Sequence, residues 1–333
     1  MTRRPPRRTL TATAATVLLF CAPSLTGCVT VHGERENIPS VAESEAPKAL
    51  DRFLDTYNKA YRELDPELLG QVESGPLGEI FTADLTAQRA NRPGGNPDFP
   101  PLELTDARYH IPKQVGWPKF FVADTRSNRE APDSGTRWLL VFSRAAAGEP
   151  WRVAYLSILS RDEVPRFAAD EDGWAEAVPT SGKGAGLVVA PDTLSRAYTG
   201  YLMTGKGDTF AAGSATTRLR EDRKRFLRTP KFWTEYIDSP AEGDAYAPVG
   251  LRTRDGGALV FFSSHHREKQ TMAKGVRPQP DERVKPLLKG EAKRAVTLTR
   301  VAESAVKVPA EDAADRKVVF VNRMEGVTAA KGE

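Results

Sequence analysis

Cysteine is nearly absent from this chain of 333 residues, which has only two. Cys21 lies within a short apolar stretch near the start, and Cys28 closes the segment that follows it. If the chain is cleaved before Cys28, one cysteine remains, which excludes an intramolecular disulfide and a site built from several thiolates. A chain of about 300 residues must then rely on its hydrophobic core, and it is long enough for two domains.

The sequence also lacks a run of about 20 apolar residues, which a membrane-spanning helix needs. The apolar stretch at residues 10–22 is shorter, and it follows four arginines within the first eight residues. That order is typical of a bacterial export signal. The pair Arg7-Arg8 is weakly similar to a twin-arginine signal, so the sequence leaves the export route open.

Net charge disappears once this signal is removed. The full chain has 48 Lys+Arg against 44 Asp+Glu, and residues 1–27 contain four arginines and no acidic residue. The mature chain is therefore neutral, and the basic excess belongs to the signal. Because the sequence carries no zinc-finger, basic-zipper or RNA-binding motif either, we exclude nucleic acid as a partner.

The export signal ends in Leu25-Thr26-Gly27-Cys28. This ending resembles the lipobox of bacterial lipoproteins, in which the cysteine sulfur receives a diacylglycerol and the new amino end is acylated, commonly with palmitate. A cysteine suits this role because its thiolate is a nucleophile. We predict a lipoprotein signal peptide at 1–27, a flexible tether at 28–47, and anchoring through Cys28 on the extracytoplasmic face of the cell membrane. The alternative is ordinary secretory cleavage, with Cys28 incidental.

Hydrophobic periodicity predicts an α+β domain at residues 48–160. Leu50, Phe53 and Tyr57 begin an amphipathic helix, and shorter helices follow to about residue 85. Strands rich in β-branched and aromatic residues are predicted at 104–114, 120–125, 137–143 and 151–159. The acidic and glycine-containing segment 161–190 is predicted to be a linker.

The same order begins again in a second domain, predicted at residues 191–329. A helix at about 191–204 and a basic helical stretch at 210–227 precede strands at 247–253, 258–264, 295–308 and 317–322. The apolar positions Leu50, Leu54 and Tyr57 match positions 194, 198 and 201 at a constant offset, which favours a duplication. The formal charge is −4 over residues 28–160 and +7 over residues 191–333. The basic half is therefore the one suited to an anionic surface.

The order of helices followed by an antiparallel sheet, closed by the Trp-Arg-Val of residues 151–153 after Gly148, resembles the NTF2-like (cystatin-like, ketosteroid-isomerase-like) superfamily. The whole chain also resembles lipoproteins of streptomycete-like, high-GC Gram-positive bacteria. The resemblance implies two tandem cone-shaped domains, each with a sheet wrapped around a long helix. Enzymes of this superfamily place an Asp or a His in the cone as a general base.

His110, Asp106 and Asp84 are the candidates for such a base and its orienting partner. No motif ties them together, and the second half has no counterpart of His110, so we favour an ordinary strand histidine. His265 and His266 are adjacent where a predicted strand ends and enters a loop. Adjacent residues of a strand point to opposite faces, so the two could not easily share a metal ion. Residues 200–207 nearly match a phosphate-binding loop, but Gly207 replaces the hydroxyl residue, so we predict a helix end. We expect no metal and no cofactor.

Basic side chains dominate the second predicted helical stretch, where they alternate with apolar residues, and a further basic loop is predicted at 267–294. This pattern suits anionic lipid headgroups or cell-wall polymers, and the alternative is a solvated helix face. The sequence thus predicts a non-enzymatic binding or accessory module of the cell envelope with an unidentified envelope partner. An isomerase or dehydratase using His110 or Asp106 is the second hypothesis. The predicted anion-binding residues are Arg218, Arg220, Arg223, Lys224, Arg225 and Arg228.

Overall fold

Helices precede antiparallel strands twice along the described chain. The structure is a computed structural model that describes residues 36–131, 133–182 and 185–333, so the predicted signal peptide and Cys28 lie outside it. The first group of elements is β1 (Ile38–Pro39), α1 (Ala46–Glu63), α2 (Pro66–Leu69), α3 (Gly75–Asn91), β2 (Leu104–His110), β3 (Lys113–Gln114), β4 (Lys119–Ser127), β5 (Arg137–Arg144) and β6 (Arg152–Leu159). The second is α4 (Leu194–Thr204), α5 (Leu219–Phe226), β7 (Phe232–Pro240), β8 (Val249–Arg252), β9 (Ala258–Met272), β10 (Leu288–Lys289), β11 (Ala295–Val308) and β12 (Val319–Gly332). The predicted α+β class is confirmed.

The first helix forms where the apolar spacing predicted it. Leu50 and Phe53 are buried on one face of α1, and the exposed face carries charged residues. Asp65 then caps α2, because its side chain accepts hydrogen bonds from the backbone N–H groups of Glu67 at 3.0 Å and Leu68 at 3.2 Å. The cap redirects the chain so that α2 and α3 can follow in short succession.

The first sheet has four antiparallel strands in the order β2-β4-β5-β6. Successive side chains of a strand alternate between faces. Phe121, Leu140 and Phe142 therefore point toward α1 and form the first core with Phe53. The residues that alternate with them, such as Val122 and Val141, point to the opposite face of the sheet.

The second sheet has six strands in the order β10-β12-β11-β9-β7, and β8 pairs with the first part of β9. Strand β9 is long enough to pair with β8 and then with β7 along one edge, while β11 lies along its whole other edge. A tight turn joins β8 to β9, because Arg252 at the end of β8 pairs with Ala258 at the start of β9.

The two faces of β9 enter two different cores. Val260 and Phe262 pack against α4 with Tyr198, whereas Leu259 and Phe261 join a core that also contains side chains of β4, β5 and β6. The four-stranded and six-stranded sheets therefore pack against each other through the faces that do not contact α1 and α4. The described part of the chain is layered as helix, sheet, sheet and helix.

The segment between the two groups of elements is packed rather than extended into solvent. Phe167 and Ala177 form isolated bridges with Thr253 and Leu251, and Ala175 donates a backbone hydrogen bond of 3.0 Å to Ile111. Part of the predicted tether is also ordered, because β1 pairs with β3 and Val41 is buried in the first core.

Three stretches of the second sheet differ from the sequence prediction. Strand β7 was not predicted at all, and β9 continues to Met272 through residues that were predicted to be a loop. Strand β12 likewise extends ten residues beyond the predicted end at residue 322. Among the described residues, no helix is both long enough and apolar enough to cross a membrane.

Candidate functional site

His110 ends strand β2 on the face of the first sheet that turns away from α1. It pairs in register with Val122, whose side chain belongs to the core between the two sheets, and its ring lies 4.4 Å from that of Phe167. Burial lowers the pKa of His110, although the nearby carboxylate of Asp124 acts in the opposite direction. The imidazole is therefore held in its neutral form at neutral pH.

Asp106 is the centre of an ion-pair network at a bulge in β2. Arg137 donates to its Oδ2 at 2.6 Å, and the side chains of Arg108 and Arg126 lie at 3.4 and 3.5 Å. The hydrogen bond from Arg137 is the main reason why the pKa of Asp106 is lowered. The same arginine, itself buried, donates to Asp124 at 2.5 Å. Asp106 is thus an ionised partner of arginines, which is a poor state for a proton acceptor.

Asp84 lies on α3 and has different partners. Its Oδ2 accepts from Gln88 at 2.7 Å, and Arg283 approaches its other oxygen to 3.9 Å. Neither partner contacts Asp106 or His110 in the described network. Asp84 is therefore a separate feature, whereas Asp106 and His110 are near the same two arginines, Arg108 and Arg137, without contacting each other.

The space between α1 and the first sheet is filled by aromatic rings. Phe121 and Phe142 stack with centroids 4.8 Å apart, Trp151 meets Phe121 edge-on at 4.9 Å, and Phe53 meets Phe142 at 6.2 Å. The indole N–H of Trp151 donates to Glu45 at 2.9 Å. This packing occupies the position in which the resemblance placed a ligand cone.

The adjacent histidines of β9 do point to opposite faces, as predicted, because His265 contacts Tyr246 whereas His266 is buried beside Tyr198. The prediction that the strand ends there was wrong, since six further residues of β9 follow. Among the described residues, no group of three or more His, Cys, Asp or Glu side chains could hold a metal ion.

His266 belongs to a buried chain of polar groups that the sequence did not suggest. Its Nδ1 lies 2.6 Å from Asp238 and its Nε2 lies 2.8 Å from the hydroxyl of Ser264. Arg223 donates to both oxygens of Asp238, at 2.6 and 3.0 Å. Burial alone would raise the pKa of Asp238, but its hydrogen bonds to His266 and Arg223 outweigh burial and lower it.

The connectivity of Ser264, His266 and Asp238 matches that of a hydrolytic triad, but the hydroxyl is inaccessible. Ser264 has no exposed surface, and a nucleophile must reach its substrate. Asp238 pairs in register with His266, so the chain joins β7 to β9, and Arg223 extends it to α5. This arrangement holds the edge strand and the basic helix onto the second sheet.

The stretch at residues 200–207 is the end of α4, as predicted. Gly205 takes a left-handed conformation with φ of 70° and caps the helix through its backbone N–H. A side chain at this position would also collide with the guanidinium of Arg220. The near-match to a phosphate-binding loop is therefore a helix end.

The predicted anion-binding residues, five arginines and one lysine, fall into two groups. Arg223 is bound to Asp238, and Arg220 donates to the carbonyl of Leu202 at 3.2 Å and lies over the ring of Tyr201. The others, which are Arg218, Lys224, Arg225 and Arg228, are exposed, and Arg225 forms an ion pair with Asp222.

Large exposed apolar side chains lie at the ends of α4 and α5 and along the neighbouring edge strand β7. Of the eight found among the described residues, five lie here, each between 42 and 51 % exposed: Met203, Phe226, Leu227, Trp233 and Ile237. Arg228 and Trp233 form a bridge between backbones, and the backbone N–H of Thr234 donates to Leu227 at 2.9 Å, so the end of α5 lies against β7. We call these five residues, together with the exposed Lys224, Arg225, Arg228 and Lys231, the apolar–basic patch.

Comparison with known proteins places the chain in a family. A family model described as "Domain of unknown function (DUF8094)" matches residues 37–332. The chain belongs to this family. An "Uncharacterized lipoprotein" of Streptomyces avermitilis is 46% identical over 332 residues, which cover 99% of this chain and 97% of that protein. "Uncharacterized lipoprotein SCO2278" of Streptomyces coelicolor is 46% identical over 336 residues, covering 99% and 98% of the two chains.

A more distant relative spans nearly the same length. "Uncharacterized lipoprotein SCO6871" of Streptomyces coelicolor is 26% identical over 341 residues, which cover 95% of this chain and 93% of that protein. No solved structure matches the chain. The names of the relatives support the class of protein that the lipobox predicts.

Proposed function

We propose that the protein is a lipid-anchored lipoprotein on the extracytoplasmic face of the cell membrane, and that it acts by binding rather than by catalysis. In this proposal the signal peptide is removed before Cys28, whose sulfur and amino group carry the acyl chains. The apolar–basic patch then brings the folded body against the anionic lipid headgroups of the same membrane.

The patch carries this proposal. Exposed Trp, Phe, Leu and Ile side chains beside Lys and Arg are the composition of surfaces that lie in the membrane–water interface. Each basic residue near an anionic leaflet contributes about 1 kcal/mol, and apolar side chains add to this by leaving water. The patch occupies both sides of the edge strand β7. Tyr236 and Asp238 face α5, so Trp233 and Ile237, which alternate with them along the strand, point to its other side.

The lipid anchor makes such a contact easy to form. Eight residue steps separate Cys28 from Glu36, the first described residue, and they span at most about 30 Å when extended. A body confined within that distance of the membrane meets the lipid surface at a high effective concentration.

Each half is further proposed to be an NTF2-like domain. The support is the repeated order of helix and antiparallel sheet, with α1 and α4 each packed on one face of a sheet through Leu50 and Leu194. The aromatic filling beneath α1, and the position of His110 on the sheet face that turns away from α1, favour a binding or accessory role over the isomerase hypothesis.

Vesicle co-sedimentation tests the patch. A soluble form that begins at residue 28, with Cys28→Ser, is mixed with vesicles of phosphatidylcholine alone or with added phosphatidylglycerol. We expect binding to the anionic vesicles, weakened by salt that screens charge. Replacing Arg225 and Arg228 with Gln removes about 2 kcal/mol, or roughly 30-fold in affinity.

A matched control uses an exposed apolar residue outside the patch. Trp233→Ser should weaken binding, whereas Val115→Ser, at a site that is 59 % exposed, should not. Equal binding by the parent and the patch variants would contradict the membrane contact. Binding to soluble poly(glycerol phosphate) without binding to vesicles would also contradict it and would point to a cell-wall polymer.

A further inference from the structure

Six arginines line one pocket beside the first sheet. The pocket has a volume of about 480 Å³ and lies on the face of the first sheet that turns away from α1 and toward the second sheet, where the segment after β6 crosses β2, β4 and β5. The arginines come from five different parts of the chain, and His110, Asp124 and Phe167 complete the polar and aromatic lining. They are Arg108, Arg126, Arg137, Arg161, Arg166 and Arg254.

Register and turn geometry bring these side chains together. Arg108 pairs with Asp124, which places it on the face of His110, and the buried Arg137 is fixed beneath both by its bonds to Asp106 and Asp124. Arg254 lies in the turn between β8 and β9, and its backbone N–H donates to the carbonyl of Arg166 at 2.9 Å. The second sheet therefore supplies one wall of a pocket on the first.

The positive charge of the pocket exceeds its negative charge. Asp106 and Asp124 are the carboxylates paired with Arg108, Arg126 and Arg137. Within the described residues, no carboxylate lies within 4.0 Å of the guanidinium groups of the other three arginines, which are 161, 166 and 254. Arginine stays charged at any physiological pH, so this surplus is permanent.

The arrangement suits a phosphoryl group. A guanidinium presents a planar fork of donors that matches two oxygens of a phosphate, and such charge-assisted hydrogen bonds are among the strongest in proteins. The ring of Phe167, in contact with His110, offers an apolar surface beside the cationic one. Pockets of this volume accommodate small organic molecules as well as a bare anion.

We propose that this pocket is a binding site for a phosphorylated small molecule, held by Arg161, Arg166 and Arg254 above the fixed Arg137. A neighbouring pocket of about 580 Å³ shares Arg166 and Arg254 with it and continues along Pro309 and Val308. The organic part of the ligand extends in that direction, while its phosphoryl group lies among the arginines. The site is independent of the membrane contact proposed for the patch.

Calorimetric titration of the full mature chain in uncharged detergent tests the site. The probes are inorganic phosphate, pyrophosphate and glycerol 3-phosphate. We expect saturable binding of one equivalent, strongest for pyrophosphate because it can engage more guanidinium groups. Replacing Arg161 and Arg254 with Gln should weaken that affinity by about 100-fold, at roughly tenfold for each charged hydrogen-bonding partner.

The control removes the same charge elsewhere. Arg62→Gln with Arg92→Gln changes two exposed arginines that line none of these pockets and should leave the affinity within about twofold. An equal loss in both variants, or no loss in the pocket variant, would overturn the proposal. Competition by glycerol 3-phosphate at the strength of pyrophosphate would identify a lipid headgroup as the source of the phosphoryl group. Weak competition would identify a soluble phosphorylated compound instead.

Discussion

Two buried glutamates make the stability of the protein depend on pH in a predictable direction. Glu73 and Glu303 are 2 % and 1 % exposed, and burial raises the pKa of each well above its usual value. Repulsion from Glu303 raises the pKa of Glu73 further. The backbone N–H of Leu156 donates to Oε1 of Glu303 at 3.1 Å. Oε2 of Glu303 and Oε2 of Glu73 have no hydrogen-bond partner among the described residues.

The magnitude follows from proton linkage. Both carboxyls keep their protons in the folded protein above pH 4.5, where an unfolded glutamate loses its own. Below pH 4.5 the contribution of the two carboxyls to the free energy of unfolding is complete, and this contribution is lost as the pH rises toward their folded-state pKa. Each group therefore lowers the free energy of unfolding by about 1.4 kcal/mol per pH unit within that window.

Glu303→Gln tests this reasoning because glutamine has nearly the shape of the protonated acid and keeps the oxygen that accepts from Leu156. We expect the variant to equal the parent near pH 4.5 and to gain about 1.4 kcal/mol over it for each pH unit above, up to the folded-state pKa of Glu303. Urea unfolding at pH 5, 6 and 7 measures the difference. Glu149→Gln, at an exposed position, is the control. A variant whose stability falls with pH as steeply as that of the parent would refute a buried, protonated Glu303.

Two further predictions concern the cores of the two halves, and both are measured by urea unfolding. Asp238→Asn leaves Arg223 without a charged partner and disturbs His266, so we expect a loss of about 3 kcal/mol, and a loss below 0.5 kcal/mol would contradict the structural role of this chain of polar groups. Phe142→Ala removes a fully buried ring from the first core and should cost about 3–5 kcal/mol, whereas Phe226→Ala in the exposed patch should cost less than 0.5 kcal/mol.

The sequence predicted the elements in which the apolar residues are also the buried ones. Helix α1 has a regular apolar stripe, and the strands β4 and β5 are almost wholly buried, so their apolar runs were unmistakable. Strand β7 was not predicted, because its apolar residues are not the buried ones. It lies at a sheet edge, where Trp233 and Ile237 are exposed and Thr234 is buried, so its hydrophobicity does not follow its burial.

Neither pocket-lining charge nor buried polar chains could be predicted from local sequence. The six pocket arginines lie between positions 108 and 254, three of them within residues 28–160, which carry a net negative charge, and strand register together with turn geometry assembles them. The sequence instead drew attention to the dense basic run around α5. There the structure divides the arginines, because Arg223 serves the interior through Asp238 while Arg225 and Arg228 face solvent.

This division changes how the patch should be probed. Removing Arg223 would unpair a buried carboxylate and loosen α5, so a loss of membrane binding in that variant would not separate folding from contact. Arg225 and Arg228 carry no such interior role, and their loss acts on the surface alone. The lipid anchor adds a second consideration, since tethering supplies an effective concentration near the millimolar range. A contact that is weak in the soluble form is therefore sufficient to keep the anchored protein against its membrane, and the Arg225 and Arg228 variant should show its clearest effect in the form without acyl chains.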